Sequence, residues 1–455
     1  MKRNCSIFLV LCLVLAIIFA GCGSAKVATD SSASAPESAS AAGSSSAAAQ
    51  DESAKLSVFG MFNTPDADAN AKAFDAMKKK FVADFPNIEY NEEQIPHDEY
   101  ETKMKTYAAA NELPNVFELK GTMVQSLVDN NQIIEIDPII SLVSGLKDGY
   151  KDGVFDDFTY KGKSYAAPFQ MGNNHNIFWN EEIFKECGID SFPTTWKDLL
   201  SAIDKIKAKG YIPIAMGNKG KWVAESLIYN TIVYRYAPVD WYLSLRDGNG
   251  AKWTDPEIVE ATGEFAKMAK NGTFNTDMNS IDNMQQRTLY YNKKAAMFIE
   301  GFWAVDAVCS DAPEDVLNAT HIAQFPAVEG AKGAGNVNQA AAGWGWAVSS
   351  NLSDGQKKAA ANFINYVTGV EYANLIVENR GLPASKPDKV DQSKMPALYN
   401  ELLKLNDESV YAPVFDVQLA PNVVDALYSN MQELLIGSMS AQKYCELAQK
   451  EMEKK

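Results

Sequence analysis

The stretch WKDLLSAIDKIKAKGYIPIAMG, residues 196–217, decides the fold class. Trp196, Leu199, Leu200, Ile203 and Ile206 recur at helical spacing on one face, and Gly210 ends the run. The residues after that glycine, YIPIAMG, read as a short apolar strand. The same alternation recurs elsewhere. KLSVFG (Lys55–Gly60) reads as a strand, and Phe74, Met77, Phe81 and Phe85 then repeat at helical spacing until Pro86. NVFEL (Asn115–Leu119) reads as a buried strand followed by a helix around Val124–Val128. Thr254 and Glu257 form a predicted capping box with Pro256 in the first turn, and from Asp354 on the chain reads almost entirely as helix. This pattern predicts an α/β protein with largely parallel sheets and no internal repeat.

The N-terminus gives an address. Lys2 and Arg3 precede an apolar run, Ile7–Phe19, that ends in Ala20, Gly21 and Cys22. A basic start, a short apolar core and small residues predict a secretory signal peptide over 1–21. The run is short for a membrane span, which needs roughly 20 residues. Residues 22–54 are mostly Ser and Ala and carry too little apolar bulk to offset their ordering entropy, so a flexible tether is expected. Such a coil spans on the order of 30 Å.

Composition narrows the rest. Roughly 400 residues follow the tether, more than one hydrophobic core usually covers, so two lobes are expected. The formal net charge of −16 argues against a nucleic-acid partner. Cys5 and Cys12 leave with the signal; Cys187, Cys309 and Cys445 are far apart and predict no disulfide framework. His97, His175 and His321 have no metal-ligand spacing, and no His-Glu-x-x-His, Gly-x-Ser-x-Gly or phosphate-loop lysine motif occurs. No metal, cofactor or catalytic residue is expected.

Two resemblances follow from these residues. Ala20-Gly21-Cys22 resembles the lipobox of bacterial lipoproteins, with Phe19 where an aliphatic residue is usual; the resemblance implies lipidation at Cys22, two acyl chains being enough for stable anchoring. Gly162, Lys163, Tyr165, Pro168, Trp179, Asn180, Gly188, Ile189, Pro193, Thr195 and Trp196 resemble the central signature of family 1 extracellular solute-binding proteins, the sugar-type receptors of ABC importers. KKAAMFIEGFW (293–303), AAGWGWAVSSN (341–351), NVFELKGT and NRGLPA (379–384) agree with that family. The resemblance implies a type II periplasmic-binding-protein fold of two α/β lobes about a hinge, with the ligand cleft between them. Lobe one would hold 55–168 and 327–347, and lobe two 169–326 and 348–455, with crossovers near Phe169, Pro326 and Val348. It further implies a monomer, lipid-anchored on the outer face of the cell membrane, that hands a sugar to ABC permease subunits.

A sugar ring offers an apolar face and a rim of hydroxyls, so aromatic plates edged by polar groups are the residues to seek. Trp222 stands in a polar loop flanked by glycines and lysines, which favours stacking over packing. Trp303 follows Gly301 at a strand-to-helix junction that the family often places in the cleft. Trp344 and Trp346 are two apart on a strand and share a face; Trp344 is the expected ligand contact because Trp346 runs into an apolar stretch. Polar candidates are Glu118, Lys120, Gln170, Asn173, Asn174, Glu300 and Asp98, with Arg380 and Gln418 behind them. Lys120 and Glu300 read first as solvated charges and only second as ligand contacts, and His97, Asp98 and Glu99 read as a helix start. A non-sugar solute on the same fold, such as a polyamine, peptide or metal complex, stays open, as does a surface glycan-degrading enzyme.

Overall fold

The computed structural model describes residues 54–62, 64 and 67–454; the signal segment, Cys22 and the remainder of the expected tether up to residue 53 lie outside them. The strand Ala54–Gly60 runs parallel to Ile88–Gln94 and to Val116–Lys120. The helix Ala69–Asp84 connects the first pair. The side chain of Asp68 caps it by accepting from the Ala71 amide, and the helix buries Phe74, Met77 and Phe81 as their spacing predicts. Trp344–Val348 enters antiparallel beside Val116–Lys120, setting Trp344 opposite Lys120, and Ala166–Pro168 closes this five-stranded sheet.

A second sheet orders Thr320–Ala323, Asn176–Asn180, Ala295–Glu300 and Ile212–Ala215. Asn176–Asn180 is antiparallel to both its neighbours, so this sheet is mixed and not largely parallel. The expectation failed because these strands are buried on both faces: all six residues of Ala295–Glu300 and all five of Asn176–Asn180 are buried. A strand buried on both faces does not report its direction. A small third sheet joins Val410–Ala412, Val337–Ala341 and Gly172–Asn173.

Each large sheet has its own core. Leu56, Phe74, Phe81, Phe117 and Trp346 gather on the first, where the Trp346 indole stacks on Phe74 at 5.6 Å. The helix Trp196–Ala208 serves the second, capped by the Thr195 side chain and burying Trp196, Leu199, Ala202, Ile203 and Ile206. Gly210, at φ +90°, makes the turn into Ile212–Ala215 that a side chain would strain. The helix Pro256–Lys270 starts on Pro256, but its N-cap is Asp255 and the Thr254–Glu257 box does not form: the Asp255 carboxylate instead accepts from the Trp241 indole and the Lys252 amide, each at 2.9 Å.

The chain crosses between the large sheets within residues 169–175 and again between Ala323 and Trp344. The third crossover falls later than Val348. The helix Asp354–Thr368 buries Ala359, Ala360, Phe363, Ile364 and Val367 in the first core, and Tyr372, Ile376 and Ala384 join them. Leu398, Tyr399 and Leu402 pack on the second-sheet side. The aromatic neighbours Phe74, Phe81 and Tyr90 draw Phe363 to the first sheet, a long-range match invisible along the chain. Cys187, Cys309 and Cys445 are free thiols.

Candidate functional site

The helix His97–Ala110 starts just after the parallel strand Ile88–Gln94 and buries Tyr100 and Met104 in the first core. That anchoring presents His97 and Asp98 at the helix N-terminus. From the second-sheet side comes Trp222, held at the mouth of a π-helical segment, Val223–Tyr229, by a turn in which Lys221 takes φ +71°. π-Helical turns are rare and are enriched at functional sites. The Trp222 indole donates to Asp98 at 3.3 Å. A Cβ on Gly220 would lie 2.5 Å from the Asp98 carboxylate, so glycine is what admits this contact.

Aromatic rings continue in both directions. Trp222 stands 6.2 Å from Trp303, and His97 touches both Trp222 at 5.4 Å and Trp344 at 5.8 Å. Trp344 in turn meets Tyr100 edge-on at 5.5 Å. Trp303 and Trp222 are half-buried, and Trp344 keeps 8 % exposure. The result is a row of three indoles and an imidazole that spans the two sheets.

Each plate is fixed by a polar partner. Trp303 donates to Glu300 at 2.9 Å, and a Cβ on Gly301 would meet the Trp303 ring at 2.2 Å. Glu300 is wholly buried and receives a bidentate pair from Arg287 at 2.8 and 2.5 Å, plus Asn283 at 2.8 Å. Lys120 lies 5.9 Å from the Trp344 ring centre and donates to Asp416 at 2.8 Å and Glu101 at 3.0 Å. Asp416 also accepts from Ser226 at 3.1 Å and from Tyr428.

The electrostatics follow from burial and pairing. Burial resists ionisation of Asp416 and Glu101, but the Lys120 ammonium outweighs it and holds both carboxyls below their usual values. Burial likewise disfavours the Lys120 charge, and Asp416 and Glu101 more than restore it. Hydrogen bonding from His97, ahead of that from Trp222, keeps Asp98 ionised against partial burial. Glu225, on the π-helical turn, is wholly buried with both carboxylate oxygens unpartnered; burial, with Asp416 adding to it, raises it well above the carboxylate range.

Of the residues singled out in the sequence, Asp98, Lys120, Trp222, Glu300, Trp303 and Trp344 form one chain of contacts that His97 makes continuous. Glu118 sits behind it: its main-chain carbonyl accepts from Tyr100 at 2.7 Å, while its carboxylate turns away to the Met61 amide at 3.0 Å. Burial pushes Glu118 up to about 8. Gln170 and Asn173 lie at the first crossover among buried amides, Gln170 with Asn70 and Asn173 with Asn176, and not on the indole row. The Asn174 amide donates to Gln339 there. Arg380 pairs with Asp306, and Gln418 bridges Arg246 and Asp157.

Glu101, Arg287, Asp416 and Tyr428 escaped the sequence reading; they sit on helices with nothing local to mark them, and only His97 carried a signal, beside Asp98. A hollow of about 500 Å³ lies elsewhere, against Trp179, Asp190, His321 and Glu401, and none of the predicted site residues lines it. Among the described residues no cluster of acids, histidines or cysteines is grouped to hold a metal, and no helix is long and apolar enough to cross a membrane.

This architecture recurs in known proteins. A chitin oligosaccharide binding protein superposes with a TM-score of 0.80 at 23 % identity, over 88 % of this chain and 98 % of its own. An uncharacterized ABC transporter extracellular-binding protein of Pyrococcus horikoshii is 25 % identical over 67 % of this chain, and the match spans 65 % of that relative's length. The multiple sugar-binding protein of Streptococcus mutans is 23 % identical over 65 % of this chain and 69 % of its own. The fold is that of the type II periplasmic-binding-like proteins. The profile of the bacterial extracellular solute-binding protein family matches residues 76–400, and the chain belongs to that family.

Proposed function

We propose that the protein captures a sugar or oligosaccharide outside the cell and delivers it, unaltered, to the permease of an ABC importer. The observation that carries this reading is the row Trp303–Trp222–His97–Trp344, built from both sheets and edged by the Asp98 carboxylate. Flat indoles suit the C–H face of a sugar ring, and fixed carboxylates accept from its hydroxyls. The multiple sugar-binding protein among its relatives supports the same ligand class.

In this account two lobes close on the ligand about the crossovers at 169–175, 324–343 and 377–384, the last being where Val377 and Leu382 join the second-sheet side while Ala384 stays in the first core. Lys120, Asp98 and Trp344 act from one lobe, and Trp222, Trp303 and Asp416 from the other. Glu300 positions Trp303. Cys22 carries the lipid that moors the monomer to the outer face of the cell membrane, and the protein performs no catalysis.

A thermal-shift screen of neutral oligosaccharides, polyamines and peptides tests the reading, because a ligand that binds only the folded state raises the midpoint. A sugar hit is expected. A shift by polyamines alone, or cleavage of the sugar, refutes it.

A further inference from the structure

Every buried cation that borders the indole row already has its anion. Lys120 faces two carboxylates, Asp416 and Glu101, so the group as a whole carries an excess negative charge. Arg287 is held by Glu300. On the flank, Asp306 grips both Lys72 and Arg380. A helix N-terminus is a natural seat for an anion, but that of His97–Ala110 already holds Asp98 and Glu99 in its first turn. Asp98 has no buried cation; its partners are His97 and the Trp222 indole, with Lys219 on the exposed loop nearby.

We infer that the cleft at the indole row accepts uncharged, hydroxyl-rich ligands and rejects anionic ones such as uronate-bearing or phosphorylated sugars. Hydroxyls can donate to Asp98 and Glu101, whereas a carboxylate or phosphate has no proton to give them and meets their repulsion. Among the described residues that border the row, no buried cation is left to compensate. This inference rests on the sugar-binding reading for its ligands, yet its electrostatic core can be measured without one.

The experiment has two arms on the purified protein at pH 8. In the first, iodide quenching of Trp222 emission is taken as the difference between the protein and Trp222→Phe, with acrylamide as the neutral control. Asp98→Asn combined with Glu101→Gln should raise the iodide quenching constant at least twofold and leave that of acrylamide unchanged. In the second, neutral gluco-, xylo- and chito-oligosaccharides are titrated against oligogalacturonides, uronate-bearing xylo-oligosaccharides and glucose 6-phosphate. The neutral ligand should bind at least tenfold tighter than its anionic counterpart, with the gap narrowing in 1 M NaCl.

An iodide constant unmoved by the double variant overturns the inference, as does an oligogalacturonide or sugar phosphate bound as tightly as any neutral sugar. If no sugar binds while iodide behaves as expected, the sugar reading falls and the charge selection stands.

Discussion

Lys120, opposite Trp344 in the first sheet, donates at 2.8 Å to Asp416, which belongs to a helix beside the second core, and both side chains are about 95 % buried. Sequence separation between the two is 296 residues. An ion pair so placed ties together the two sides of the proposed cleft. Its net worth is modest because both charges lost water, but either charge left alone is costly.

Lys120→Met should therefore destabilise the protein by about 3–5 kcal/mol, since Asp416 and Glu101 lose their cation. Adding Asp416→Asn should recover part of that loss. Denaturant unfolding of the two single variants and the double variant checks it through the coupling energy. Strict additivity would mean that the pair is not a unit.

Asp306 makes a contrasting case. Its side chain keeps 1 % exposure, but its partners Lys72 and Arg380 retain 22 % and 23 %. Asp306→Ala leaves two cations that can turn to water, so the expected cost is smaller, about 1–3 kcal/mol. The same unfolding measurement ranks it below Lys120→Met.

Gly301→Ala separates the site from the fold. The new methyl would meet the Trp303 ring, which can swing aside at little cost to the core but then loses its bond to Glu300. Ligand affinity should fall tenfold or more, about 1.4 kcal/mol, while the unfolding midpoint moves little. Parallel calorimetric titration and thermal melts read both quantities.

Glu118 predicts a pH dependence. Its folded value is raised to about 8 from an ordinary 4.5, so the folded state binds the extra proton between those limits. Its contribution to stability is complete below about pH 4.5 and is lost as pH rises through 8. Glu118→Gln, which mimics the protonated form, should flatten that decline, with a higher melting midpoint than the parent at pH 8.5 and a similar one at pH 5. A parent-like slope in the variant would remove Glu118 as the cause.

Much of this arrangement was legible along the chain, for local reasons. The helix on Trp196, Leu199 and Ile203 follows from spacing, and Gly301 ahead of Trp303 marks a strand-to-helix junction. Trp344 and Trp346 were told apart by their flanks, and Trp346 is the one wholly buried. What could not be read depends on partners distant in sequence. Lys120 looks like a surface charge until Asp416 reaches it, and Glu300 until Arg287 does. Strand direction in the second sheet and the placement of Asp354–Thr368 on the first core depend on the same kind of remote packing. Gln170 and Asn173 mark a crossover, as their setting suggested, yet their amides pair with other buried amides there.

The most direct test is calorimetric titration of the protein and its Trp303→Ala variant with a panel of neutral oligosaccharides. The account predicts one class of sugar bound with micromolar or tighter affinity, about −8 kcal/mol or stronger, and at least tenfold weaker binding in the variant. A sugar bound equally well without the Trp303 indole, or heat evolved only with a polyamine, would contradict it.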